Sequence, residues 1–190
     1  MRTMSKRVRK ITGGLLAAAA VSVAVAAAPE ATAAPQFYRL TVLNGGGVLA
    51  ADLSGGVVVT TAQSSSTLAQ WELLFPGSAG SSEDGFGSAF QLKNRATQKC
   101  VKDVGNNVQL REATCETNPV PNSPQLWHHH TAVDKTVNGK PYQFVFNRDT
   151  VRVLSRAPLG GVTVPALSSV KATNNSSAAA ALQLWNLQRL

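Results

Sequence analysis

Three adjacent histidines, His128, His129 and His130, two cysteines, Cys100 and Cys115, and ten acidic residues are the groups in this chain that could do chemistry. Imidazoles invite metal or proton-transfer roles. Consecutive side chains on a strand point to opposite faces, so at most His128 and His130 can share an ion. A third ligand would then have to come from elsewhere, such as Asp134 or Glu116. No further cysteine exists to complete a thiolate site, and no metal is expected. A catalytic nucleophile needs an activating base and an orienting acid. Serines are abundant, yet none sits in a Gly-x-Ser-x-Gly turn. Glu83 and Asp84 lie in Gly80-Ser81-Ser82-Glu83-Asp84-Gly85, which reads as a flexible linker rather than a pair of hydrolytic carboxylates. The expectation is a protein that binds rather than catalyses, with no cofactor.

Where the chain works follows from its first residues. Arg2, Lys6, Arg7, Arg9 and Lys10 precede an uncharged stretch from Ile11 to Ala28, the basic-then-apolar order of a secretory signal. Alanine dominates the stretch, with Thr12, Gly13, Gly14 and Ser22 mixed in, which argues against a stable membrane anchor. Ala31-Thr32-Ala33 offers small residues for cleavage, so residues 1–33 are expected to be a signal peptide and the protein to be secreted. Five of eighteen basic residues and one of ten acids go with it, leaving thirteen against nine and a net charge of +4 in place of +8. No Lys/Arg cluster remains, and no nucleic acid partner is expected. In an oxidising compartment Cys100 and Cys115 most simply close a disulfide, the alternative being two unrelated buried thiols.

These residues must be carried by strands. Runs rich in Val, Thr, Leu and Phe are broken by Gly, Ser, Asn and Pro every eight to twelve residues, as in Tyr38–Val42, Gly56–Thr60, Phe90–Lys93, Asn107–Leu110, Gln143–Phe146 and Gly161–Val164. Only Ser176–Leu184 has helical composition, and it is too short to outweigh its surroundings. An internal repeat organises the whole. Trp71, Trp127 and Trp185 are 56 and 58 residues apart. Each closes a unit that opens on Tyr38 and Leu40, Phe90 and Leu92, or Phe144 and Phe146. An asparagine follows at Asn44, Asn94 or Asn147, then a core residue at Leu49, Cys100 or Val153, then a strand valine at Val57, Val108 or Val162. Three units of four short strands, at about 37–75, 88–130 and 142–190, can share one core around a pseudo-threefold axis. The expected fold is all-β, a β-trefoil over residues 34–190, with a β-sandwich as the rival.

Gln125-Leu126-Trp127 and Gln183-Leu184-Trp185, with Lys99-Cys100-Val101-Lys102-Asp103-Val104 and the run from Val108 to Cys115, resemble the ricin B-type lectin family over nearly all of residues 37–190. The resemblance implies the trefoil and a shallow sugar pocket. That pocket would have an acid after the repeat's cysteine, an aromatic platform and an asparagine beside Gln-x-Trp. Carried over, it implies carbohydrate binding by Asp103, Asn122 and Gln125 in the second repeat, and by Asp52 in the first. Trp71, Trp127 and Trp185 would be repeat-core residues. Departures are plain. Arg156 stands at the acidic position of the third repeat, Pro124 precedes Gln125, Arg111 stands where an aromatic is common, and the first repeat reads Ala69-Gln70-Trp71. The implied partner is a glycan or polysaccharide bound by a monomer. The alternative is a protein-binding or protease-inhibitor module using loops such as Ser78–Gly87 or Asn118–Ser123.

Overall fold

The computed structural model describes residues 34–45, 47–53, 56–62, 65–77, 85–156, 167–171, 177 and 179–190. The expected signal peptide, the expected strand at Gly161–Val164 and most of the Ser78–Gly87 loop lie outside them.

The described residues form thirteen strands: β1 (Phe37–Val42), β2 (Val48–Asp52), β3 (Val57–Thr61), β4 (Trp71–Leu74), β5 (Gln91–Asn94), β6 (Cys100–Lys102), β7 (Arg111–Ala113), β8 (Trp127–His129), β9 (Lys135–Val137), β10 (Lys140–Asn147), β11 (Arg152–Arg156), β12 (Leu167–Lys171) and β13 (Leu184–Arg189). Following antiparallel pairings from β1 leads through β4, β5, β8, β10 and β13 back to β1. The link from β5 to β8 is the bridge Phe90–Trp127. These six strands form a closed ring, which leaves no edge among them to pair with another chain. Hairpins β2–β3, β6–β7 and β11–β12 hang from the ring, one per repeat, each joined to the strand that opens the repeat. Repeat composition therefore becomes threefold architecture, because no repeat can bury its own apolar face.

The core records that symmetry. Leu40, Leu92 and Val145 are fully buried together, as are Leu49, Val101 and Leu154, and Trp71, Trp127 and Trp185. Each indole nitrogen donates to a carbonyl of its own repeat's first hairpin strand: Trp71 to Leu49 at 2.9 Å, Trp127 to Val101 at 3.1 Å and Trp185 to Leu154 at 2.8 Å. An indole brings a large apolar area and one obligatory donor, and both are satisfied here.

This register corrects several landmarks read from the sequence. Across the ring Tyr38 faces Trp71, Phe90 faces Trp127 and Gln143 faces Trp185, so Gln143 rather than Phe144 opens the third unit. Val145 replaces Phe146 accordingly, Val101 replaces Cys100, and Leu154 replaces Val153. The position of Asn94 and Asn147 is held in the first repeat by Val42, not Asn44, since these three face Trp71, Trp127 and Trp185 respectively. One residue of slip on a strand exchanges its two faces. Phe144, Phe146 and Val153 accordingly build a second cluster with Tyr142. The expected strand at Asn107–Leu110 is also displaced, to β7. Asn107 adopts φ +57°, and its N–H donates to Ser169 of the third repeat at 2.9 Å, so the segment leaves the ladder before Leu110 enters the core.

Two local features have clear causes. Asn138 and Gly139, at φ +50° and +73°, join β9 to β10, the dipeptide favoured by two-residue hairpin turns. In the alanine-rich stretch Ala179–Leu182 coils as a 3-10 turn that buries Ala180.

Candidate functional site

The acidic position predicted from the second repeat is a buried polar centre bonded on both oxygens. The Asp103 side chain is fully buried. Its Oδ1 accepts from the Ser169 hydroxyl at 2.6 Å and the Gly105 N–H at 3.0 Å. Its Oδ2 accepts from the Thr150 hydroxyl at 2.8 Å and from Arg152 through Nε at 3.0 Å and Nη2 at 2.8 Å. Burial pushes the carboxyl pKa up. The hydrogen bonds from Ser169, Gly105 and Thr150 and the charge of Arg152 outweigh it and hold the group below its ordinary value. Thr150, Arg152 and Ser169 all belong to the third repeat, so Asp103 ties two repeats together. A sugar hydroxyl would have to displace one of these donors.

The register explains this role. Asp103 stands two residues past Val101, and the residues two past Leu49 and Leu154 are Ala51 and Arg156. Asp52 is thus one residue beyond the position equivalent to Asp103, a correction to the sequence alignment. Arg156 does occupy that position, and it too serves a junction. Its Nη1 donates to the Asn44 carbonyl of the first repeat at 2.8 Å, against Gly45, where a Cβ would collide with the guanidinium. Gly45 is the first-repeat counterpart of Thr150, three residues past Val42 as Thr150 is past Asn147. The same place on the repeat makes an acid–hydroxyl junction once and an arginine–glycine junction once.

Gln125 is buried, and its amide donates to the Thr114 carbonyl at 2.9 Å and accepts from the Glu116 N–H at 3.2 Å. Gln183 donates in the same way to the Lys171 carbonyl, at 3.4 Å. The glutamine of Gln-x-Trp therefore serves the end of the third strand in each repeat that has it. Asn122 is exposed on its loop. Asp103, Gln125 and Asn122 address different partners rather than one point.

Asp52 is placed differently. It ends β2 opposite Val57 and lines an open pocket of about 330 Å³. Thr61 and Ser66 supply hydroxyls there, Ala51 and Leu68 form apolar walls, and Leu53, 74 % exposed, forms the rim. Ser66 is set by the 3-10 turn it caps, its oxygen accepting from the Leu68 N–H at 3.2 Å. The one large aromatic side chain exposed among the described residues is Phe75, which shares a separate groove with Glu116. Sequence reading passed over it because it follows β4, outside any motif.

The histidines are divided among three environments. His128 is buried and stacks on Phe86 with ring centroids 4.2 Å apart. His129 Nδ1 lies 2.6 Å from the His130 carbonyl. His130 Nδ1 lies 2.7 Å from Asp134 Oδ1, whose other oxygen accepts from the Phe144 N–H at 2.9 Å. Among the described residues no three metal-ligating side chains converge. Cys100 and Cys115 form a disulfide within the second repeat, with Cα atoms 4.9 Å apart.

Comparison with solved structures decides the architecture. A designed three-fold symmetric protein, ThreeFoil, superimposes with TM-score 0.57 at 16 % identity, over 81 % of this chain and 99 % of that one. A ricin B-like lectin from Macrolepiota procera, solved with lactose, gives TM-score 0.58 at 15 % identity over 84 % and 99 %. The chain is a β-trefoil. The same trefoil matches part of a GlcNAcα1-4Gal-releasing endo-β-galactosidase from Clostridium perfringens, with TM-score 0.56 at 15 % identity over 82 % of this chain and 32 % of that enzyme. No protein-family model matches the trefoil, and no curated protein matches it. A likeness at this level of identity is one of fold. What is particular to this trefoil is the set of polar groups at its junctions and pockets.

Proposed function

We propose that the protein is an exported, non-catalytic carbohydrate-binding protein whose sugar site is the Asp52 pocket of the first repeat. The observation that carries the proposal is the composition of that pocket: a carboxylate, two hydroxyls and apolar walls in one open concavity. A sugar presents vicinal hydroxyls, which a carboxylate can accept from, and a C–H face that packs on apolar surface. The Macrolepiota lectin, solved with lactose, shows that this fold can hold a sugar. The Asp103 carboxylate is committed to the third repeat, whereas Asp52 lines an open pocket. Export rests on the basic-then-apolar order of residues 1–33 and agrees with the disulfide.

The test is retention on a panel of immobilised neutral glycans. Wild-type protein is expected to bind at least one, and Asp52→Ala to lose at least tenfold in affinity with an unchanged melting temperature. Retention unaffected by Asp52→Ala would place the site elsewhere, and a parallel Phe75→Ala variant shows whether the Phe75 groove holds the sugar instead. Binding to no glycan would favour the second reading, a protein-binding module. That reading is favoured by Val120, 60 % exposed at the tip of the Asn118–Ser123 loop.

A further inference from the structure

A second pocket, of about 400 Å³, opens between the second and third repeats. It is lined by Asn106 from the β6–β7 connection, by Thr150, Val151 and Arg152 at the start of β11, and by Lys171 at the end of β12. Arg152 and Lys171 are direct partners across the β11–β12 ladder, which puts both side chains on the same face of the sheet. Two like charges at that distance repel. Asp103 neutralises one of them from beneath, through Nε and Nη2 of Arg152. The next acid along, Asp149, does not line the pocket, and no ion pair to Lys171 is formed among the described residues. Among the described residues the pocket therefore carries one positive charge without an acidic partner.

Its other walls are those of a binding site rather than of a bare cationic surface. The Asn106 amide offers donors and an acceptor beside the charges. Val151 is 55 % exposed and sits at φ +54°, a conformation that costs a β-branched residue energy and that here presents an apolar side chain at the rim. Arg152 cannot swing away, because its inner edge is held by a buried carboxylate. Its guanidinium is thereby fixed in orientation before any ligand arrives, which lowers the ordering cost of binding.

We infer that this junction binds a sugar ring carrying one anionic substituent, a carboxylate or a sulfate ester. The oxyanion would lie between Lys171 and Arg152, the ring hydroxyls against Asn106 and a C–H face on Val151. The inference rests on the carbohydrate-binding reading but uses a different pocket and a different ligand charge, so the two can fail separately.

Calorimetric titration of the purified protein with glucuronic acid, glucose 6-sulfate and unmodified glucose tests it. One or both anionic sugars are expected to bind at least tenfold more tightly than glucose, and the stronger of the two identifies the substituent. Lys171→Gln should abolish that preference. Lys140→Gln, which removes an equal charge from the exposed β9–β10 hairpin, should leave it unchanged. Equal weakening by the two lysine variants would show nonspecific attraction and overturn the inference. So would the absence of any preference for the anionic sugars. Loss of neutral-glycan binding in Asp52→Ala with the affinity for the anionic sugar unchanged would support two independent pockets, and an equal loss of both would overturn the assignment of the anionic sugar to this junction.

Discussion

At the scale of single residues, the molecule turns on what a buried carboxylate requires. Asp103 is out of water, and a charge in that position must be paired and hydrogen-bonded to be tolerated. Two hydroxyls, one backbone N–H and one guanidinium meet the requirement. Asp103→Ala should cost about 2–4 kcal/mol, because it leaves Arg152 facing a cavity without its counter-ion. Asp103→Asn should cost less, since the amide oxygen can still accept. Urea unfolding of both variants checks the order. Sequence reading could place an acid here, yet not say whether it faced solvent or protein. Lys102 and Val104 on either side carry no information about Thr150 or Ser169, which lie 47 and 66 residues away. Asp52 shows the opposite error. Counting from Leu49 aligns it with Asp103, whereas the indole hydrogen bonds align Ala51 with Asp103, and the slip turns a supposed equivalent into a residue that lines a different pocket.

At the scale of elements, the second repeat is stapled and the others are not. The Cys100–Cys115 disulfide joins β6 to the strand end beyond β7, closing a 15-residue separation. In the chain-entropy account such a loop contributes about 3 kcal/mol. The β6 and β7 strands are three residues each, against five for their first-repeat counterparts β2 and β3, so this hairpin has the shorter ladder to hold it. Reduction, or Cys100→Ala with Cys115→Ala, should lower the urea midpoint accordingly. Hydrogen exchange should show the amides of Cys100–Ala113 losing most protection, and little change in β2–β3. The pairing was readable from the count and spacing of the cysteines together with the expected compartment. The β9–β10 hairpin was equally readable from Asn138-Gly139 and went unread, because the repeat alignment absorbed that stretch as a connection.

At the scale of the whole molecule, two carboxylates give stability opposite dependences on pH. The native pKa of Asp103 lies below its ordinary value near 3.8. Its stabilisation is therefore complete above that value and is lost as pH falls through the native pKa. Glu112 is different. Burial pushes its pKa above 4.5, and the Thr97 hydroxyl, which donates at 2.6 Å, and the charge of Lys99 only partly offset this. A carboxyl with a raised native pKa favours folding while protonated, so its contribution is present below 4.5 and is lost as pH rises through the native value. Stability measured by urea titration should pass through a maximum on the acid side of neutrality. Glu112→Gln should flatten the high-pH limb, and Asp103→Asn should flatten the limb below about pH 4. A coincident shift of both limbs in either variant would contradict these assignments.

What the sequence determined by itself is the architecture. Hydrophobic period, turn residues and a tryptophan recurring at nearly equal intervals are local quantities. Three insufficient units have few ways to share a core, so local pattern was enough to reach the ring and its three hairpins. Tertiary structure alone decided which polar residues tie repeats together and which line pockets. Asp103, Arg152 and Arg156 are held or oriented by groups from the neighbouring repeat, and Asp52 and Lys171 line open pockets. Contacts between repeats depend on one-residue differences of register that leave hydrophobic pattern nearly unchanged but exchange the inward and outward faces of a strand.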